Sequence, residues 1–132
     1  MASTPAYAAT PKVGIGQIST ANTNRDGTGT IGTVFTAGSS GSRIDRVVIE
    51  ATSTTTAGMV RLFIHNGTTA YLYDEIPVTA ITPSGTVQAF QATREAVSKP
   101  TLYPLVLPTG YSLRASTNNA ETFNVAAVGG DL

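Results

Sequence analysis

Short runs rich in Val, Ile, Thr, Tyr and Phe recur along the chain, separated by clusters of Gly, Asn, Ser or Pro, and helical periodicity is hard to find. This pattern is typical of strands joined by turns. It predicts an all-β domain, an antiparallel β-sandwich of about eight strands and of jelly-roll type, with a small closed barrel as the alternative. The predicted strands are residues 12–19, 30–37, 43–53, 59–65, 70–79, 86–93, 101–107, 111–117 and 122–128.

The clearest local unit is a β-hairpin centred on Asn66 and Gly67, because Asn followed by Gly accepts the positive φ angles of a type I′ turn. The run before this turn has apolar residues on both faces, since Phe63 alternates with Leu62 and Ile64. A strand with two apolar faces is either central in a sandwich or pressed against another subunit. The hairpin therefore also becomes a candidate contact surface.

Other strands carry signals of their position in a sheet. Residues 111–117 and 122–128 alternate between apolar and polar positions, so each of these strands should have one face in water. Pro104 interrupts the run 101–107, and because proline cannot donate to a ladder, that strand is expected at a sheet edge. The alternating polar positions are Ser112, Arg114 and Ser116 in the first of these strands, and Thr122 and Asn124 in the second.

Residues 1–11 are predicted to form an extended N-terminal arm, and residues 12–132 a single β-sandwich domain. Pro5 and Pro11 discourage a helix in the arm, so we expect it to become ordered only on a partner. The arm has no basic start or long apolar run, which argues against a secretory signal. No run approaches the roughly 20 apolar residues of a membrane-crossing helix.

Composition narrows the possible functions. Eight Lys and Arg balance eight Asp and Glu, and charged residues make up only 12% of the chain. Nucleic-acid binding needs clustered cations, so no nucleic-acid partner is expected. Cysteine is absent, which removes thiolate metal ligands and a Cys nucleophile. A neutral domain with so little charge is expected to bury much of its surface against other protein.

Two loop motifs were tested for chemistry. The segment from Gly27 to Gly32 has the letter pattern of a dinucleotide-binding loop, but a strand-like run follows where a helix is required. The segment from Asn22 to Gly27 resembles half of a calcium loop, yet Thr33 stands where the bidentate acid belongs. The first is interpreted as a flexible turn and the second as a structural loop rich in Asn and Asp.

Catalytic candidates are scarce. His65 is the sole histidine, without the partners that a hydrolytic triad or a zinc site needs, and it is interpreted as a residue flanking the turn. Asp45 lies between Arg43 and Arg46, and Asp74 with Glu75 is expected to face Arg61 across the hairpin. Both are interpreted as ordinary cross-strand charge pairs and not as a glycosidase pair. The tyrosines, such as Tyr71, are expected in the core or in subunit contacts, with sugar stacking as the alternative. No enzyme activity, metal, cofactor or small-molecule substrate is therefore expected.

Three stretches together carry a resemblance to a known class of protein. They are residues 58–67, 75–80 and 107–116. Taken in order they resemble small β-rich virion accessory proteins of tailed bacteriophages, the decoration or cement proteins of the capsid, over residues 22–132.

This resemblance implies a jelly-roll-like domain, often trimeric, that sits on the outer face of the major capsid protein of a virion after synthesis in the host cytoplasm. A tail, collar or fibre component and a carbohydrate-binding module are the alternatives. Neither a membrane nor a nucleic acid is expected as a partner. The candidate protein-interface residues come from the arm and the hairpin, and they are Pro5, Tyr7, Phe63, His65, Asn66, Tyr71 and Tyr73.

Overall fold

A computed structural model describes residues 9–132 of the chain. Within this range all regular structure is β, in nine strands. The strands are β1 (Thr10–Ile18), β2 (Gly32–Thr36), β3 (Ser42–Ala51), β4 (Gly58–His65), β5 (Ala70–Val78), β6 (Gln91–Glu95), β7 (Leu105–Leu107), β8 (Ser112–Thr117) and β9 (Phe123–Asp131).

The strands form two antiparallel sheets packed face to face. Sheet A has the order β1-β9-β3-β6, with β7 beside the first part of β3, and sheet B has the order β2-β8-β4-β5. The prediction of an antiparallel β-sandwich is confirmed. The edge position of the proline-flanked strand is confirmed too, since β7 pairs with β3 alone.

The core lies between the sheets and follows the two-residue period of the strands. On β3, Val47 and Ile49 point inward and are completely buried, while Arg46 and Val48 face outward. The largest completely or almost completely buried side chains include Phe35, Phe123, Ile44, Leu62, Ile76 and Leu113. Burial of such apolar surface stabilises the fold by roughly 25 cal/mol per Å².

Strand β1 has the reverse of the expected alternation. Val13 and Ile15 face outward and are 57% and 71% exposed, whereas Gly14 and Gly16 face the core. A Cβ atom on Gly14 would lie 2.3 Å from the carbonyl oxygen of Val34 on β2. The glycines therefore allow the backbone of β1 to lie directly on β2, which closes this side of the sandwich.

Residues 19–31, which connect β1 to β2, cross the outer face of sheet B, and we call them the strap. Asn22 N donates to the carbonyl of Thr117 at 2.8 Å, and Arg61 Nη1 donates to the carbonyl of Asn22 at 3.4 Å. Farther along, a Cβ atom on Gly27 would lie only 2.2 Å from the carbonyl oxygen of Ala70 on β5. The strap thus reaches from β8 across β4 to β5.

The strap corrects one prediction about water-facing strands. Ser112 and Ser116 on β8 were expected in water, but they are only 4% and 1% exposed, so this prediction was wrong. Asn124 on β9 is exposed, as predicted. The strap also explains why β4 is buried on both faces: β4 is central in sheet B, and its outer face is the one that the strap crosses.

The β4–β5 hairpin is confirmed, but its turn is not of type I′. The last strand pair is His65 with Ala70, which leaves a connection of four residues, 66–69. Gly67 has φ of 96°, and no described residue other than glycine has positive φ, so Asn66 does not adopt the geometry of a type I′ turn. Asn66 instead accepts backbone hydrogen bonds with its side chain, which supports the longer loop.

Some strand boundaries differ from the prediction. β1 begins at Thr10, so Thr10 and Pro11 belong to the sandwich and not to the predicted arm. Pro11 is tolerated because β1 is an edge strand. Strand β6 occupies Gln91–Glu95 and not residues 86–93. The rest of the predicted arm, including the candidate contact residues Pro5 and Tyr7, lies outside the described residues.

Candidate functional site

Three of the predicted contact residues, His65, Asn66 and Tyr71, lie at the end of the hairpin together with the neighbouring Leu72. Tyr71 and Leu72 are consecutive in β5, so their side chains stand on opposite sides of this edge of sheet B. His65 is half-buried and Asn66 is exposed, while Tyr71 and Leu72 on β5 are 57% and 37% exposed. We call these four residues the hairpin surface. β5 is the outermost strand of sheet B, so one side of its backbone is unpaired there.

Side-chain hydrogen bonds hold the loop of the hairpin. Asn66 Oδ1 accepts from the N–H groups of Thr68 and Thr69 at 3.0 and 2.8 Å. His65 Nδ1 accepts from Gly67 N at 3.1 Å, so a neutral His65 carries its proton on Nε2. The interpretation of His65 as a residue flanking the turn is confirmed. Both side chains support the shape of the surface.

Phe63 and Tyr73 do not belong to the hairpin surface. Phe63 is 0% exposed and lies on the outer face of β4, the face that the strap crosses, so its selection as a contact residue was wrong. The β4–β5 register shifts after Leu62, so that Phe63 pairs with Leu72. Tyr73 is therefore the extra residue of a bulge. Its ring packs edge-on against the ring of Tyr103, with the ring centroids 6.0 Å apart, and its hydroxyl donates to the carbonyl of Leu102.

The tyrosines thus have different roles. Tyr103 is 2% exposed, and Tyr111 is half-buried against the core. Burial raises the pKa of the Tyr103 hydroxyl, and the neighbouring Asp74 carboxylate raises it further. Among the described tyrosines, only Tyr71 is largely exposed. The expectation of tyrosines in the core is confirmed for Tyr103.

Asp74 lies inside the sandwich edge and connects the two sheets. Its Oδ2 is 3.3 Å from Arg94 Nε on β6 and 3.4 Å from the hydroxyl of Tyr103, which donates to it. Arg94 Nη2 also donates to the carbonyl of Glu75 at 2.8 Å. The partner predicted for Asp74, Arg61, pairs with Glu75 instead. These contacts pair the buried Asp74 carboxylate with a cation, although Arg94 Nε makes no hydrogen bond with another described residue. They join β5 to β6 where the sheets have no backbone pairing.

Glu75 holds the strap to sheet B. Its Oε2 accepts from Arg25 Nε of the strap at 2.7 Å and from Arg61 Nε of β4 at 2.9 Å. The hydrogen bond from Arg25, and after it the one from Arg61, lower the pKa of the Glu75 carboxyl. The predicted pairing of Arg61 with this acidic pair is confirmed. Asp45 pairs with Arg43 at 2.9 Å within the same strand and not across strands.

The strap confirms the interpretation of residues 22–27 as a structural loop rich in Asn and Asp, and residues 28 and 30 are held in the same hydrogen-bonded loop. Asn22 Nδ2 donates to the carbonyls of Thr28 and Thr30, and its Oδ1 accepts from Asn24 N. Asp26 Oδ1 accepts from the backbone and hydroxyl of Thr28, the hydroxyl contact being 2.6 Å, which lowers the pKa of Asp26. These oxygens and amides are engaged in building the loop. In residues 9–132 no group of three or more His, Asp or Glu side chains is arranged to hold a metal ion.

A polar pocket of about 260 Å³ lies between the strap and the hairpin surface. Its lining includes Asp26, Thr28, His65, Thr68 and Arg114. Arg114 Nε donates to Ser112 at 3.1 Å. With an imidazole, a guanidinium, hydroxyls and one carboxylate, the pocket suits a polar side chain of a partner that covers the neighbouring hairpin surface.

A second exposed apolar surface was missed in the sequence. The outward residues Val13 and Ile15 of β1 pair with Val128 and Ala126 of β9. Val48 of β3 pairs with Ala126 on its other side, so that Ile15, Ala126 and Val48 form a row across three strands. We call these five residues the sheet A face. The residues that alternate with Val13 and Ile15 are Gly14 and Gly16, which pack on β2 through their backbone. This alternation of apolar residues with glycine was the signal available in the sequence, because such apolar residues point outward when the glycine backbone faces the core.

Comparisons with family models, with curated proteins and with solved structures found no match for this chain. The described residues include no helix with the length and apolarity needed to cross a membrane. Information about function therefore comes from the two exposed surfaces and from the pairing of the charged side chains.

Proposed function

We propose that the protein is a structural protein of a virion, which binds the major capsid protein on the outside of the capsid through the hairpin surface. The observation that carries this proposal is the exposure of Tyr71 and Leu72, 57% and 37%, two consecutive residues whose side chains stand on either side of an unpaired strand edge. Tyrosine is one of the residues that dominate binding energy in protein interfaces. The polar pocket beside His65, at the same end of the hairpin, supplies hydrogen-bonding groups for an interface rim.

A structural role and not a catalytic one is supported by the use of the charged groups. Glu75 binds two arginines, Asp74 is paired with Arg94 inside the sandwich edge, and Asp131 accepts from Ser42 and Lys12. Each of these carboxylates joins separate parts of the chain. A general acid or base needs a proton-transfer position open to a substrate, and these groups are occupied by their partners.

The jelly-roll form is part of the proposal, and the order of strand pairing supports it. β1 pairs with β9, β2 with β8, β3 with β6 and β7, and β4 with β5. These pairs are nested, as though one long hairpin had been wrapped around a barrel axis. Jelly rolls of this kind occur among viral capsid and lectin domains, which is an analogy at the level of fold alone.

Stabilisation of the capsid follows from mass action. A protein that binds the assembled shell and not the free subunits stabilises the shell by its binding free energy. The low charge of the chain helps here, because a buried charge without a partner is costly in an interface. The trimer implied by the resemblance stays a prediction.

The alternatives use the same surface differently. A tail, collar or fibre protein would present the hairpin surface to a different virion partner. A carbohydrate-binding module would need an aromatic platform, and Tyr73 and Tyr103 are engaged with each other in the interior of the sandwich edge. Tyr71 on its own offers one ring, so the protein-binding proposal is preferred.

Cosedimentation of the purified chain with capsids of its virus tests the proposal. Tyr71→Ala should weaken binding to assembled capsids by about 2 kcal/mol, roughly thirtyfold, as expected for a hot-spot residue. Val97→Ser is the matched control, since Val97 is 91% exposed and lies between β6 and β7, away from the hairpin. It should bind like the natural chain.

Three outcomes would contradict the proposal. The first is wild-type binding by Tyr71→Ala, and the second is equal binding to free capsid subunits and to assembled capsids. The third is density for the chain on the tail or neck and not on the shell in images of intact particles. A reproducible ligand on a glycan array would favour the carbohydrate-binding alternative.

A further inference from the structure

The sheet A face lies on the opposite side of the molecule from the strap, and within residues 9–132 no segment covers it. Val13 and Ile15 are 57% and 71% exposed, and Val48, Ala126 and Val128 are half-buried. In contrast, the strap buries much of the outer face of sheet B. The described part of the chain therefore covers one outer sheet face and not the other, and the uncovered face has apolar residues at its centre.

Charged and polar residues border this centre in a definite arrangement. Arg46 and Glu50 point outward on β3, two residues before and two residues after Val48. Each therefore lies roughly 7 Å from Val48 along the strand. On β6, Glu95 lies beside Arg46 and Gln91 lies beside Glu50. Because Arg46 and Glu50 occupy the two ends of the outward row of β3, a twofold rotation across the strands brings each Arg46 opposite a Glu50.

Both charges are poorly satisfied in a single copy. Arg46 is exposed, and its side chain has no hydrogen bond or ion pair with another described residue. Glu50 Oε1 receives one long hydrogen bond of 3.4 Å from Gln91, and Glu50 Oε2 is shielded from solvent without a hydrogen-bond partner in residues 9–132. The Glu50 carboxylate thus gains by turning toward a cation on another molecule.

We propose that the sheet A face is the contact surface for a second copy of this chain. The twofold axis lies midway between the two copies, parallel to their sheets and across the strands, above the row of Ile15, Ala126 and Val48. It stacks these three residues on their counterparts. It also places Arg46 of each copy opposite Glu50 of the other, so that two ion pairs form at once, as an isologous interface requires.

The size of the face agrees with a weak dimer. Strands β1, β9 and β3 are each about 30 Å long, and β6 and β7 together span a similar length beside β3. Four such rows at about 4.8 Å spacing cover roughly 570 Å² on each copy, or about 1,100 Å² in total. This is near the lower limit for a specific interface, about 1,000 Å². The dimer should therefore form in a concentration-dependent manner, and this contact leaves the hairpin surface of sheet B free.

Charge exchange tests the twofold arrangement by sedimentation velocity on the purified chain alone, over a series from micromolar to near-millimolar concentration. Arg46→Glu places Glu opposite Glu twice, and Glu50→Arg places Arg opposite Arg twice. Each variant should dimerise about tenfold more weakly than the natural chain, because two exposed pairs are lost. The double variant should recover the natural affinity.

Mixing supplies the decisive measurement. Arg46→Glu mixed with Glu50→Arg should form a heterodimer at concentrations where each variant alone is monomeric, because all four facing charges are then opposite in sign. Lys99→Glu is the control for net charge, since Lys99 is half-buried in the loop between β6 and β7 and is not part of the sheet A face. It should dimerise like the natural chain.

The possible results separate clearly. Recovery in the double variant and heterodimer formation on mixing support the proposal. A monomer at every concentration, the trimer that the resemblance implies in place of a dimer, or a double variant no stronger than the single ones overturns it. Because no capsid is present, failure here leaves the proposal of capsid binding through the hairpin surface standing, and failure of Tyr71→Ala to weaken capsid binding leaves this dimer standing.

Discussion

At the scale of single residues, three glycines within strands determine how closely backbones approach. A Cβ atom would lie 2.3 Å from Val34 O at Gly14, 2.6 Å from Thr33 O at Gly16, and 1.8 Å from Arg43 O at Gly129. Real Cβ atoms are essentially never found so close to a backbone oxygen. The first two glycines therefore set the distance between β1 and β2, and through it the outward direction of Val13.

Gly14→Ala is expected to destabilise the protein. The added methyl group meets backbone and not a flexible side chain, so β1 must move away from β2, which costs about 1–3 kcal/mol as in other overpacked sites. The matched control is Gly85→Ala, where no atom lies within 4 Å of the new Cβ. The midpoint of urea denaturation measures both changes, and equal midpoints for the two variants would contradict the packing of β1 on β2.

At the scale of elements, the strap determines which surface is free. Without it, the outer face of sheet B would expose Arg61 and Phe63, which are 3% and 0% exposed in its presence. The connection of residues 19–31 looked like polar loop in the sequence, because it is rich in Asn, Thr and Gly. Its backbone and side-chain hydrogen bonds make it a covering layer of the sheet.

Asn22→Ala should loosen the strap. Asn22 is 6% exposed, and its side chain makes three hydrogen bonds within the strap. Their loss leaves two carbonyl groups without these donors, and a cost of about 2–3 kcal/mol in the free energy of unfolding is expected. Asn24→Ala, at an exposed position, should cost less than about 1 kcal/mol.

Amide hydrogen exchange gives the location of the effect of Asn22→Ala. Faster exchange should appear in the strap, at residues 22–30, and in the adjoining positions of β8. Amide exchange in sheet A should become faster only by the amount that follows from the lower free energy of global unfolding. A variant with natural stability and natural exchange in the strap would show that Asn22 does not hold it.

At the scale of the whole molecule, acidic side chains join segments that are distant in the sequence by ion pairs and hydrogen bonds. Glu75 joins the strap to β4, Asp74 joins sheet B to sheet A through Arg94, and Asp131 joins β9 to Ser42 and Lys12. Within residues 9–132, the exposed large apolar side chains lie in the hairpin surface, in the sheet A face and at Val87, Val97, Val106 and Leu132. The hairpin surface and the sheet A face are the two surfaces considered for binding. These two surfaces belong to opposite sheets, so a dimer through the sheet A face would carry two hairpin surfaces pointing away from each other.

Stability should fall in acid because carboxyl groups are stabilised in their charged form. The pKa of Glu75 is lowered chiefly by Arg25, and the pKa of Asp131 chiefly by Ser42 and then Lys12. A carboxyl whose pKa is lower in the folded chain adds stability above its unfolded pKa. This contribution is lost as the pH falls through the folded pKa. The free energy of unfolding is therefore expected to decrease from neutral pH toward acid pH.

Glu75→Gln should flatten this dependence, since glutamine does not titrate. Denaturant unfolding at a series of acidic pH values measures the slope for the natural chain and for the variant. Glu95→Gln is the control, because the Glu95 side chain has no ion pair or hydrogen bond with another described residue. A Glu75→Gln variant with the natural slope would contradict the role of Glu75.

Much of the fold was accessible from local patterns, for identifiable reasons. The positions of most strands and the β4–β5 hairpin were predicted because apolar runs and turn residues act within a few residues of each other. The edge position of β7 followed from the missing N–H of proline. The prediction of a type I′ turn was wrong because the side chain of Asn66 stabilises a four-residue loop. The selection of Phe63 as a contact residue was wrong because burial by a distant strap leaves no local signal in the sequence.

The sequence by itself determined the class of the fold, the number and approximate places of the strands, the lack of cysteine chemistry and the balance of charge, because these depend on composition and on short-range periodicity. The tertiary structure alone decided which apolar residues reach the surface. Val13 and Ile15 face outward because Gly14 and Gly16 rest on β2, and Phe63 is buried because residues 19–31 return across its sheet. Such outcomes depend on contacts between residues far apart in the chain, where a two-residue period carries no information about which face another segment will cover.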